Sequence, residues 1–249
     1  MYLKACGKSF KCNLVIFDLD GTLIDSENRF LGLAEARVEA LTRLVGAEVV
    51  RPWSEASGYD LEKGELDANG PLMRAPRRED LIVAATVIYA HGHRWGESKR
   101  LARLAYEEAD KVFSLYYSPI LLEGVESTLP RLRAAGLKLA IATNDRRRVA
   151  DETMESLGMR DLFETVVGAD DVEKPKPAPD MLLRVCEICG THPSDTVFIG
   201  DLPQDMEAGR KAGIAGLIGV RSKLVPPSEM EGLADCLIDT FQELIGPPH

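Results

Sequence analysis

Asp18 and Asp20 stand two residues apart in the stretch Asp18-Leu19-Asp20-Gly21-Thr22. Carboxylates this close repel each other unless a cation or a shared proton lies between them. Gly21 lets the chain turn tightly behind them. A second acidic pair, Asp201 and Asp205, follows Gly200, and Asp205 is placed to open a helix, whose N-terminus favours a carboxylate. Thr143-Asn144 offers a hydroxyl and an amide that can donate to anionic oxygens. In Lys174-Pro175-Lys176-Pro177 the prolines stiffen a loop, and one lysine held over the carboxylates would neutralise them. Each piece alone also reads as ordinary structure: an Asp-Gly turn, helix caps, solvated lysines.

The elements around these residues give them a common address. Short aliphatic runs at 13–18, 138–144, 164–168, 196–201 and 216–220, with a last one at 236–238, read as buried parallel strands. Amphipathic stretches at 126–135, 147–157, 180–189 and 205–212 alternate with them. That rhythm predicts a doubly wound, Rossmann-like α/β sheet. All four groups then lie at carboxyl ends of strands, where open parallel sheets bind ligands. Asp18, Asp20 and Asp201 are hard oxygen ligands of the kind Mg²⁺ takes together with a substrate phosphate. Three carboxylates against one Mg²⁺ and one lysine balance to a neutral floor for a phosphate.

Residues 26–118 break the rhythm. Helical periodicity at 29–44, 81–95 and 97–117, around a polar segment at 52–76, predicts an all-helical insertion. The chain thus divides into 1–25 with 119–249, a catalytic core, and 26–118, a cap. Between 72 and 103 seven basic residues face three acidic ones. Arg74, Arg77, Arg78 and Arg94 are candidates to clamp a second anionic group of a substrate. A solvated helix face with ordinary ion pairs is the competing reading. His91 and His93, two residues apart, do not share a helix face and read as a loop or helix end.

Composition narrows the partners. The 249 residues carry 40 acidic and 30 basic side chains, a formal charge of −10, which disfavours a nucleic-acid backbone. With 45% hydrophobic residues the chain has material for a core. Five cysteines, an odd number, do not suggest a disulfide framework and point to a reducing compartment. Cys186 and Cys189 fall in a helical stretch without the second pair that a zinc site needs. Lys4, Lys8 and Lys11 interrupt the N-terminus, and the apolar run at 81–90 is too short for a bilayer. The expectation is a soluble, cytoplasmic monomer or homodimer that acts on a small molecule, without nucleic acid or membrane.

The sequence resembles the haloacid dehalogenase superfamily, and within it the capped, phosphoglycolate-phosphatase-like enzymes. Asp18-Leu19-Asp20-Gly21-Thr22-Leu23-Ile24-Asp25-Ser26 matches the family's first motif, Ile141-Ala142-Thr143-Asn144 the second, and Lys174-Pro175-Lys176-Pro177 the third. Gly200-Asp201 with Asp205 matches the fourth. The likeness covers 13–25 and about 119–240, and is architectural alone in 26–118. It implies Asp18 as nucleophile of an aspartyl-phosphate and Asp20 as general acid and base. It implies Mg²⁺ on Asp18, the Asp20 carbonyl and Asp201, with Asp205 behind them. It also implies Thr143, Asn144 and Lys174 as holders of the phosphoryl oxygens. Leu202 departs from the small hydroxyl residue usual after the fourth motif's first aspartate. A phosphomutase, a carbon–phosphorus hydrolase using a cap lysine such as Lys63 or Lys99, and a non-catalytic binding module are the alternatives. The complete set of Asp18, Asp20, Lys174 and Asp201 argues against the last, since a binding module needs no nucleophile and acid.

Overall fold

The fold is described from a computed structural model over residues 1–116, 118–222 and 225–246. The chain forms two compact units, Met1–Asp25 with Pro119–His249, and Ser26–Ser118. The first begins with a hairpin, β1 (Tyr2–Ala5) and β2 (Lys8–Lys11), followed by β3 (Leu14–Phe17). The second holds α1 (Ser26–Leu44), α2 (Val50–Ser57), β4 (Tyr59–Asp60), β5 (Glu65–Leu66), α3 (Pro71–Arg74), α4 (Arg77–Ala90) and α5 (Trp95–Tyr116). The first unit then resumes with α6 (Val125–Ala134), β6 (Lys138–Ala142), α7 (Arg147–Ser156), β7 (Thr165–Val167) and α8 (Asp180–Cys189). It closes with β8 (Thr196–Gly200), α9 (Pro203–Ala212), β9 (Gly216–Val220), α10 (Pro227–Met230) and β10 (Cys236–Ile238).

Six strands pair in the order β10-β9-β8-β3-β6-β7, and every pair is parallel. Successive strand residues point to opposite faces. Val15, Phe17, Leu139, Ile141, Val197 and Ile199 join one apolar cluster. Leu14, Ile16, Ala140, Ala142 and Phe198 join another on the other face. Both faces are covered, which is why these strands read as unbroken aliphatic runs rather than as alternation. β3 lies at the centre, and the chain steps from it to β6 on one side and later to β8 on the other. The carboxyl end of β3 is therefore a topological switch point.

Among the described residues of the second unit, the regular elements are helices apart from the two-residue strands β4 and β5, which pair antiparallel. Asp60 builds that turn by accepting the Glu62 and Lys63 N–H groups at 2.9 and 3.0 Å. The unit's core joins α1, α2, α4 and α5 through Leu41, Trp53, Ala84, Ile88, Ala102 and Ala105. α4 starts at Arg77, four residues before the predicted 81, because Pro76 precedes a charged first turn that carries no apolar periodicity. Tyr117, the end of the third predicted helix, lies outside the described residues.

Candidate active site

Asp18 follows β3, and its N–H donates to the Ile199 carbonyl at 2.9 Å, so the parallel ladder continues to this residue. The chain then folds back on itself. The Leu19 carbonyl accepts the N–H groups of Thr22, Leu23 and Ile24. Gly21 takes a φ of 76°, and a Cβ there would overlap the Asp201 carboxylate. Glycine is thus needed twice, for its left-handed backbone and for the room it leaves. Thr22 Oγ1 donates to Asp201 Oδ1 at 3.3 Å, which ties this loop to the end of β8.

β8 ends at Gly200, where a Cβ would lie 2.6 Å from the Asp205 side chain. Asp205 Oδ2 accepts the Leu202 N–H at 3.0 Å and caps α9. Leu202 therefore serves through its backbone, and its departure from the family pattern leaves this contact in place. Lys176 Nζ lies 2.7 Å from Asp18 Oδ1 and 2.7 Å from Asp205 Oδ1. Its side chain is only 1% exposed.

The lysine over the carboxylates is Lys176, whereas the sequence pointed to Lys174, which is exposed. The reason lies in Asn144. Its Nδ2 donates to the Lys176 carbonyl at 3.1 Å, and its Oδ1 accepts the Lys176 N–H at 3.0 Å. Both ends of one side-chain amide grip both ends of one residue's backbone, which fixes the register of the loop. Asn144, expected on phosphoryl oxygens, commits both ends of its amide to this clamp. Thr143 is buried at the end of β6, and its Oγ1 accepts the Asp145 N–H at 3.1 Å. The hydroxyl proton stays available for donation.

Asp18, Asp201 and Asp205 bring carboxylate oxygens within 4.8 Å of one another, and all three are buried. Burial pushes Asp18 up to about 7, with Asp205 and Asp20 adding repulsion and Lys176 opposing them. Burial, then Asp205 and Asp18, holds Asp201 well above the usual carboxylate range. Burial alone would lower Lys176, but Asp18 and Asp205 outweigh it and hold it above its usual value. Asp20 is half-buried, and its charge is felt at both Asp18 and Asp201. One ammonium cannot balance this many carboxylates. The surplus fits a divalent cation with oxygen ligands, and Gly21 leaves the space that lets Asp201 approach. Asp205, expected behind the ligands, stands in the cluster itself.

The candidate arginines of the second unit separate into two kinds. Arg77 donates to Asp110 at 2.6 Å and stacks over the Tyr106 ring at 4.6 Å. Arg74 Nε donates to the Ala68 carbonyl at 2.6 Å. Arg78 and Arg94 are exposed. Behind Arg77 lies a buried network that the sequence reading missed. Arg37 pairs with Asp80 at 2.7 Å and lies 4.1 Å from the Tyr106 ring centre. Tyr106 donates to Asp80 at 2.9 Å and accepts from Trp53 Nε1 at 2.9 Å. A groove of about 700 Å³ on this unit is lined by Arg51 and five acidic residues, Glu55, Asp60, Glu62, Glu65 and Asp67, and by none of the four candidates. His91 Nδ1 meets the Val87 carbonyl at 2.8 Å, and His93 lies 3.8 Å from Glu97, so the two histidines do not act as a pair. Cys186 and Cys189 pack into the sheet's core.

The model of the haloacid dehalogenase-like hydrolase family matches residues 12–213. The phosphoglycolate phosphatase of Psychrobacter arcticus is 32% identical over 211 residues, which span 81% of this chain and 80% of that protein. A predicted phosphoglycolate phosphatase from Haemophilus somnus superposes with a TM-score of 0.68 at 21% identity, over 93% of this chain and 96% of that one. A β-phosphoglucomutase from Clostridium difficile does so at 0.65 and 20%, over 93% and 92%. At these identities the two structures establish the fold, which a phosphatase and a mutase share. No helix among the described residues is long and apolar enough to cross a membrane.

Proposed function

This chain belongs to the haloacid dehalogenase-like hydrolases, on their phosphatase branch, and we propose that it is a Mg²⁺-dependent enzyme hydrolysing a small phosphate monoester through an aspartyl-phosphate. The observation that carries this reading is the buried cluster of Asp18, Asp201 and Asp205 around a single lysine at the centre of the sheet. Asp18, Asp201 and the Asp20 carbonyl would hold Mg²⁺, with Asp205 beside them. When bound, the ion offsets the mutual repulsion of nucleophile and phosphate.

The chain's own groups divide the work. Lys176 holds Asp18 Oδ1, which leaves Oδ2 for attack on the phosphorus. Oδ2 forms a bond to phosphorus as the bond to the ester oxygen breaks. Asp20 donates its proton to the departing alkoxide. Asp20, now a base, takes a proton from water, whose oxygen displaces Asp18 and releases inorganic phosphate. Thr143 and Lys176 stabilise the phosphoryl oxygens as charge shifts onto them. Residues 26–118 would act as the cap that excludes water and selects the substrate, with Arg78 and Arg94 as candidate anion contacts. The relative's name makes 2-phosphoglycolate the first compound to try.

The test is phosphate release from a panel of phosphorylated metabolites in Mg²⁺, with Asp18→Asn as control. Release by the wild type and none by the variant is the expected result. No release from any compound, or full activity in Asp18→Asn, overturns the assignment. Conversion of one phosphate ester into another without free phosphate would make it a mutase.

A further inference from the structure

Away from the carboxylates, two thiols meet at the edge of the core unit. Cys6 and Gly7 form the two-residue turn between β1 and β2, with φ of 49° and 72°. A type I′ turn needs both values positive, and Asn, Asp or Gly normally fills its first position. Cys6 is the one non-glycine with positive φ among the described residues. Its Sγ donates to the Leu237 carbonyl of edge strand β10 at 3.3 Å. Cys236, the residue before Leu237, packs against the apolar cluster that contains Leu3, Ala5 and Phe10 of the hairpin. Backbone bonds in both directions between Lys4 and Ile245, at 2.8 and 2.9 Å, pin one side of the hairpin. Lys8 Nζ pins the other by donating to the Asp235 carbonyl at 2.5 Å. The turn that carries Cys6 and the strand that carries Cys236 are therefore held side by side by contacts that do not depend on a bond between the two cysteines. The other three cysteines, Cys12, Cys186 and Cys189, are buried among apolar side chains.

We propose that Cys6 and Cys236 are a modification site: a dithiol that low-molecular-weight disulfides such as oxidised glutathione convert reversibly to a disulfide. Cys6 is exposed and attacks first. Its thiolate bonds to one glutathione sulfur, the S–S bond breaks, and the other glutathione leaves as a thiolate. Cys236 then gives up its proton to solvent and attacks the Cys6 sulfur, which expels the second glutathione. The two cysteines lose two electrons, and the glutathione disulfide gains them. Burial keeps the Cys236 thiol up at about 12, in line with its following rather than leading. The bond would fasten the hairpin to β10 across nearly the whole chain.

The experiment equilibrates the full-length protein with graded ratios of oxidised to reduced glutathione. It then measures free thiols, maps cross-linked peptides by mass spectrometry and records thermal unfolding. Two thiols are expected to disappear, a peptide pair joining Cys6 to Cys236 to appear, and Tm to rise by about 5–15 °C, all reversed by dithiothreitol. Cys236→Ser should stop at a stable glutathione adduct on Cys6. Cys6→Asn, whose side chain suits the turn, should fold normally and lose the oxidant-dependent rise. The proposal is overturned if both thiols remain alkylatable at every ratio, if the wild type keeps glutathione on Cys6 as stably as Cys236→Ser does, or if Cys6→Asn retains the rise.

Discussion

Each unit of this protein buries a cation against carboxylate, and the two burials are built to opposite ends. In residues 26–118, Arg37 meets Asp80 one to one, and Tyr106, itself accepting from Trp53, donates to the same carboxylate. Asp80 holds Arg37 above its usual pKa against the pull of burial. In the core, Lys176 contacts Asp18 and Asp205 while Asp201 adds a further charge close by. There the carboxyl groups of Asp18 and Asp201 are driven up, not down. A balanced buried network closes on itself and specifies packing. An unbalanced one stays costly until something else arrives, which is how a binding site differs from a strut.

That contrast can be broken by substitution. Arg37→Met leaves Asp80 buried without its cation and should destabilise the protein by about 3–5 kcal/mol in denaturant unfolding. Arg37→Met with Asp80→Leu should recover most of that loss; if it does not, the network is more than a strut. Lys176→Met should lower kcat by roughly 10²–10³-fold, while Lys174→Ala stays within about twofold of wild type. Equal losses at both positions would contradict the loop register that Asn144 sets. Mg²⁺ at a hundredfold excess over its Kd should stabilise the wild type by about 2.7 kcal/mol in thermal unfolding. Asp201→Asn should lose most of that gain, whereas Arg37→Met keeps it. Arg77→Ala should cost about 1–2 kcal/mol through its lost stacking on Tyr106. It should leave the ratios of kcat/KM among substrates unchanged, and a shift in those ratios would move Arg77 from the network to the substrate.

What could be read in advance followed from how local each signal is. Asp18 and Asp201 announce themselves because each follows an aliphatic run, so strand and ligand position are one pattern, and Asp205 because it opens the helix after the second run. The sheet was legible for the same reason. Lys176 was not, because two lysines in one proline-flanked loop have the same local chemistry, and an amide 32 residues away chooses between them. The Trp53–Tyr106–Asp80–Arg37 network was hidden because its members are scattered over helices α1, α2, α4 and α5, each polar residue on an otherwise apolar face. The β1–β2 hairpin escaped because its turn carries a cysteine where asparagine or glycine would have signalled it. Ser26, which starts α1, precedes the apolar periodicity by several residues, so the helix looked shorter than it is.

The Asn144 clamp has a consequence for repair. Because the amide holds the loop by the backbone of residue 176 and not by its side chain, the charge over Asp18 is a detachable part in a moulded socket. Truncation to alanine should leave the socket standing, and a small alkylammonium ion from the buffer should be able to occupy it and restore part of the lost turnover. Truncating Asn144 instead dismantles the mould, and no amine in the buffer can make that good.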